Sequence, residues 1–91
     1  MKTGLAGKRA LVTGGASGIG RAIAIALAEE RAAVAVADRR PTEAVVAEIR
    51  AAGGTAHGLT ADVSEEAAVV AMVAEADRVL GGVDLYVNNA A

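Results

Sequence analysis

Four short apolar runs recur along the 91-residue chain, each separated from the next by a segment of helical periodicity. The runs are RALVT at 9–13, AAVAVAD at 32–38, TAHGLTADV at 55–63 and VDLYVNN at 83–89. After the first, residues 18–30 bring Ile19, Ile23, Ala26 and Leu27 to one face, the spacing of an amphipathic helix. Pro41 pre-sets the first turn of a second helix, whose stripe of Val45, Val46, Ile49 and Ala52 is stopped by Gly53-Gly54. Ser64 is placed to cap a third helix, with Glu65 and Glu66 at its positive end. There Val69, Val73, Ala76 and Leu80 share a face, with Met72 and Val79 beside them, before Gly81-Gly82. The third run reads as the weakest strand because Gly58 interrupts it.

Apolar strands that alternate with helices predict a parallel sheet. Right-handed crossovers then leave one leading topology, a doubly wound α/β, Rossmann-like half-fold of four strands in the order 3-2-1-4. Its first two helices cover one sheet face and its third covers the other. Residues 1–91 are read as one domain, with no internal repeat, linker or low-complexity segment.

Composition narrows the partners. Apolar residues make up 54% of the chain, yet Phe and Trp are absent and Tyr86 is the only aromatic. Small apolar side chains suit close helix-on-sheet packing and argue against stacking on single-stranded nucleic acid. A net charge of −2 with scattered basic residues leaves no footprint for a phosphate backbone. The absence of cysteine excludes disulfides and thiolate metal sites and is compatible with a reducing compartment. No signal-peptide pattern and no membrane-spanning run is present, so the expectation is a cytoplasmic protein with no membrane partner.

The stretch TGGASGIG, residues 13–20, places four glycines between the first strand and the first helix. At the carboxyl edge of such a sheet, glycine lets the backbone approach a phosphate and adopt positive φ. The helix N-terminus then offers free amides to the anion. Gly14 would allow the tight turn, Gly18 the close approach, and Gly20 the packing of helix on strand. A P-loop laid on Gly15–Gly20 would put Arg21 where its lysine belongs and Ala22 where its metal-binding hydroxyl belongs. The other reading is a dinucleotide loop, although the spacing is Gly-x-x-x-Gly-x-Gly rather than G-x-G-x-x-G. A tight turn without a ligand is the bland alternative, and the position between strand and helix weighs against it.

Asp38 closes the second run, eighteen residues after Gly20, near the offset of an acid that binds the adenosine ribose. Its carboxylate would accept from both ribose hydroxyls and repel a 2′-phosphate. Arg39 and Arg40 pull the other way. The expectation is NAD, with NADP less favoured.

Together these residues resemble the short-chain dehydrogenase/reductase family. TGGASGIG is similar to its TGxxxGIG loop, ADV at 61–63 to the Asp-Val after the third strand, and NNAA at 88–91 to NNAG. The resemblance implies that Gly14, Ser17, Gly18, Ile19 and Gly20 line the pyrophosphate and nicotinamide-ribose path. It also implies Asp38 on the adenosine ribose, Arg39 against the adenine, and Asp62 and Val63 at the adenine. Asn89 and Ala90 would lie beneath the cofactor ribose, with Asn88 tying the fourth strand into the sheet. Ser17 precedes the second glycine of the loop, where NADP-dependent relatives often carry a basic residue. Asp62 could equally begin a turn ahead of Ser64, Tyr86 reads as core, and His57 reads as a surface or strand-edge residue.

The resemblance further implies a serine and a Tyr-x-x-x-Lys pair, the tyrosine exchanging a proton with the substrate oxygen. Tyr86 is followed four residues later by Ala90, and the lysines are Lys2 and Lys8. No catalytic residue and no metal ligand is therefore named. Arg31 stands where relatives often have a helix-ending glycine, and Ala91 replaces the glycine of NNAG. The expectation is the cofactor-binding half of an oxidoreductase without its catalytic half. Exposed apolar surface and a bare fourth strand would favour a homo-oligomer or association with that half. A stand-alone NAD-binding or regulatory module and a non-functional fragment are the alternatives.

Overall fold

The strand Ala33–Asp38 (β2) is buried at every position but its first. Its alternating Ala and Val fit a strand covered on both faces. It lies at the centre of a parallel sheet in the computed structural model, which describes residues 4–89. Around it run β1 (Arg9–Thr13), α1 (Gly18–Glu29), α2 (Glu43–Ala51), β3 (Thr55–Thr60), α3 (Glu66–Leu80) and β4 (Leu85–Asn88). The sheet order is β3-β2-β1-β4, and every pair is parallel. The expected topology is the observed one.

Side-chain alternation divides the core in two. Val12, Val34 and Val36 join Ala24 of α1 and Val45, Val46 and Ile49 of α2 on one face. Leu11, Ala35 and Ala37 meet Met72 and Ala76 of α3 on the other. Each fully buried valine or leucine contributes about 1.5–3 kcal/mol, so the valine-rich strands carry most of the stability.

Several local expectations change. In α1 Ile23 and Leu27 of the expected stripe do pack against the core, beside the buried Gly20 and Ala24, whereas Ala26 is exposed and Ile19 is 72% exposed. The first turn rests on its neighbours through Gly20, which leaves Ile19 outward. Along α3, Met72 and Ala76 are buried while Val73 is exposed. Gly58 does not interrupt β3: the strand runs through it, paired with Val36. A Cβ there would fall on Thr42 Oγ1 and lie 3.4 Å from Val46 Cγ2, so the missing side chain admits the start of α2. The strand ends at Thr60, short of Val63.

Two helix starts shift as well. The second helix starts at Glu43 with Thr42 as its N-cap, so Pro41 lies ahead of the first turn it was expected to pre-set; the Thr42 carbonyl accepts from the Val46 N–H at 3.0 Å. Ser64 does not cap α3; its hydroxyl donates to Asp62 Oδ1 at 2.7 Å, and Glu65 takes the N-cap position. Tyr86 is not core but 44% exposed. It pairs with Leu11 in register, yet α3 lies over β1, β2 and β3, leaving Tyr86 open on that face, while Val87 of the same strand packs against the core on the other.

Arg31 has φ +68, the left-handed conformation, where a Cβ crowds the backbone. Its N–H donates to the Ala28 carbonyl at 2.9 Å and that of Ala32 to Leu27 at 3.1 Å, which closes α1. Arg31→Gly is expected to raise the unfolding free energy by about 0.5–1 kcal/mol, read by urea denaturation. An unchanged or lower value would contradict the strain.

The amino end of the sheet is tied by Arg9. Its Nε donates to Asp84 Oδ2 at 2.9 Å and its Nη1 to the Gly81 carbonyl at 2.5 Å. The Arg9 side-chain hydrogen bond, with help from the Arg9 amide, holds the Asp84 carboxyl at about 2. A depressed carboxyl stabilises the fold above its unfolded value of 3.8 and loses that contribution as pH falls towards 2. Denaturation midpoints should therefore drop between about pH 4 and pH 2. Asp84→Asn should flatten that slope, and an equally steep slope in the variant would assign it elsewhere.

Candidate functional site

The carboxyl ends of β1, β2 and β4 converge on the glycine loop. Gly14 turns the chain out of β1 with φ +64, and the Gly15 N–H donates to the Ala37 carbonyl at 3.2 Å. Gly18 opens α1 with φ +60, and a Cβ there would meet nothing within 4 Å. The loop is therefore bare on that side. Ser17 is an extended N-cap whose hydroxyl makes no capping bond, and no acidic residue occupies the first turn. The leading amides of α1 consequently have no side-chain partner from this turn.

Gly20 faces inward. A Cβ on it would fall on the Gly14 carbonyl oxygen and lie 2.6 Å from Asn89 Nδ2. The contact that requires glycine is with the loop and the end of β4, beyond the helix-on-strand packing expected. Thr13 lies beneath this floor, fully buried. Its Oγ1 accepts the Asn89 N–H at 3.0 Å and lies 3.1 Å from Asn88 Oδ1, to which it can donate. Asn88 thus ties β4 to β1. Sequence reading missed Thr13, whose signal is a hydroxyl residue ending an otherwise apolar buried strand.

Asp38 is 7% exposed. Its Oδ2 accepts the Ala16 N–H and its Oδ1 the Arg40 N–H, each at 3.0 Å. Burial alone would raise this carboxyl, but the Arg40 and Ala16 amides together with the Arg40 guanidinium outweigh it and lower it below its ordinary range. Asp62 Oδ1 accepts both the Ser64 N–H at 3.0 Å and its hydroxyl at 2.7 Å. Those bonds lower the Asp62 carboxyl and form a turn of the Asx kind.

These groups line one cleft of about 400 Å³, whose walls include Gly14, Ser17, Ile19, Asp38, Arg39 and Asn89 as well as Asp62 and Val63. Of the residues singled out in the sequence, Gly18 and Gly20 do not line it; the first borders open space and the second packs below. Ala90 and Ala91 lie outside the described residues. Ala61 and Ser64 line the cleft without having been singled out as contacts, and so does Arg40, which with Arg39 had been raised as a group that would welcome a phosphate. Ser64 had read as a cap. Among the described residues there is no cluster fit to hold a metal ion, and no helix is long and apolar enough to cross a membrane.

Residues 8–91 match the family described as short chain dehydrogenase. The chain belongs to this family of oxidoreductases, which use a nicotinamide cofactor. It is 48% identical over 86 residues to a short chain dehydrogenase of Pseudocercospora fijiensis, covering 92% of this chain and 28% of that protein. The crystal structure of a hydroxysteroid dehydrogenase from Escherichia coli superposes with a TM-score of 0.93 at 40% identity, over 96% of this chain and 38% of that one. A short chain dehydrogenase from Burkholderia cenocepacia, solved in complex with NADP, gives a TM-score of 0.90 at 46% identity, over 94% of this chain and 36% of that one. The chain therefore spans between about a quarter and two fifths of the length of these relatives.

Proposed function

We propose that the chain is the cofactor-binding part of a short-chain dehydrogenase and that it binds NAD in the cleft at the carboxyl edge of the sheet. The observation that carries this reading is that Gly14 and Ser17 of the glycine loop line one cleft together with the buried Asp38 carboxylate, with Gly18 bare at the helix start beside it. The residues fit the cofactor. Gly18 leaves space beside the helix amides for a diphosphate, and Gly14, Ser17, Ile19 and Gly20 shape that path. A carboxylate has about four lone-pair positions, so Asp38 can accept from ribose hydroxyls while keeping both amides.

Arg39 would lie against the adenine, with Asp62 and Val63 at its edge and Asn89 beneath the cofactor ribose. Ala90 would continue that floor. Bound nicotinamide supplies the hydride acceptor or donor for an alcohol or carbonyl substrate. The residues of this chain bind and orient it. Proton exchange with the substrate oxygen would need the serine and Tyr-x-x-x-Lys of the family, supplied by a catalytic half with which this chain would associate.

NAD is favoured over NADP because Asp38 places a negative charge where a 2′-phosphate would sit. Calorimetric titration with NAD, NADP and ADP-ribose tests the proposal. NAD and ADP-ribose are expected to bind at millimolar concentration or better, and NADP more weakly. Gly18→Val should abolish binding, since a branched side chain is strained at positive φ and would project beside the phosphate path. Absence of NAD binding by the unaltered chain would refute the reading.

A further inference from the structure

Asp38 already has work to do before any ligand arrives. Its two carboxylate oxygens join backbone N–H groups from different segments, Ala16 in the glycine loop and Arg40 beyond the end of β2. Loop residues Gly14 and Gly15 bring high conformational freedom, and holding them in place needs an opposing contact. The loop has one further anchor to β2, the Gly15 N–H on the Ala37 carbonyl. The Asp38 bonds are charge-assisted and nearly water-free, conditions under which such bonds are strongest. The exposed Arg40 guanidinium, 3.8 Å from Oδ1, adds little beside them.

We propose that Asp38 is a positioning residue for the phosphate loop, its carboxylate clamping Ala16 so that the loop is in its ligand-ready shape in the free chain. Selection of the sugar and organisation of the phosphate site then depend on one side chain. Removing Asp38 weakens ligands that never touch it. The clamp itself concerns the free chain; only the ligand arm of its test rests on the reading of the cleft as a dinucleotide site.

Hydrogen exchange and a titration with inorganic pyrophosphate, both followed by nuclear magnetic resonance, test this on three variants. Asp38→Asn keeps the shape but presents one oxygen and an N–H₂ group to two donors. Ala16→Pro keeps the acid and deletes the donor, and the double variant completes a cycle. Expected is a loss of Ala16 amide protection of about tenfold in Asp38→Asn, with the amides of β1 and α3 unchanged. Pyrophosphate, too small to reach the adenosine end, should bind about tenfold more weakly to either single variant, with no further loss in the double.

Unchanged Ala16 protection in Asp38→Asn would overturn the clamp, as would additive losses in the double variant. If one single variant fails to fold, pyrophosphate binding by the other decides. If pyrophosphate does not bind the unaltered chain, the proposed function is damaged, and Ala16 exchange still decides the clamp.

Discussion

Gly20→Val is expected to unfold the chain at ordinary temperature. A Cβ at this position would coincide with the Gly14 carbonyl oxygen and press on Asn89 Nδ2. The Asn89 side chain can turn aside, but the Gly14 carbonyl cannot retreat easily. It is backbone in a turn of positive φ at the end of β1. Overpacking a tight site costs about 1–3 kcal/mol when neighbours can relax, and more when they are backbone. A domain of this size has a total stability of about 5–14 kcal/mol. Loss of the cooperative transition in thermal or urea denaturation is the expected reading. Gly20→Ala should retain a transition, lowered by about 2 kcal/mol or more. A valine variant as stable as the parent would mean that α1 does not lie as closely on the loop as the structure places it.

The second large effect concerns choice between cofactors. Asp38→Ala is expected to reduce the preference for NAD over NADP by about a hundredfold. Two contributions act in one direction. Hydrogen bonds from ribose hydroxyls to a charged acceptor, worth about 1.5–3 kcal/mol each, are lost, and repulsion of a 2′-phosphate by the carboxylate, worth several kcal/mol, disappears. Even a sum of about 2.7 kcal/mol corresponds to a hundredfold ratio. Arg39 and Arg40, both exposed and lining the cleft, stand ready to meet the added phosphate. The ratio is the informative quantity, because loss of the Ala16 contact is expected to weaken both cofactors together. An unchanged ratio, measured by calorimetry with each cofactor, would remove Asp38 from the adenosine ribose.

The topology was legible because hydrophobic periodicity and turn residues agree along the whole chain. Apolar runs of Ala and Val cannot be amphipathic surface strands, and the glycine pairs at 53–54 and 81–82 stop their helices where expected. The rim of the cleft was legible for a similar reason, since Asp38 and the glycine loop stand at strand ends that a parallel sheet must bring to one edge.

What escaped were the packing between elements and the choice among competing hydrogen-bond partners. Helical periodicity assigned Ile19 to the core, but the small surface of Gly20 and Ala24 sets how α1 rests on the sheet. Ser64 is a good cap by residue type, yet Asp62 two residues earlier competes for its hydroxyl and wins. Gly58 resembled a break until Thr42 filled the space a side chain would occupy. Tyr86 read as core because a strand pattern does not reveal which strand lies beyond the reach of a covering helix.

The function proposed for the chain is to receive a dinucleotide in the cleft at the carboxyl edge, with its diphosphate at the start of α1 and its adenosine at Asp38. Titrating isotopically labelled chain with NAD, and following every backbone amide by nuclear magnetic resonance, tests this most directly. Saturable shifts concentrated at Ser17, Gly18, Ile19, Gly20, Asp38, Val63 and Asn89 are predicted. Shifts confined to another surface, such as the exposed Val70 and Val73 of α3, or none at saturating NAD, would contradict it.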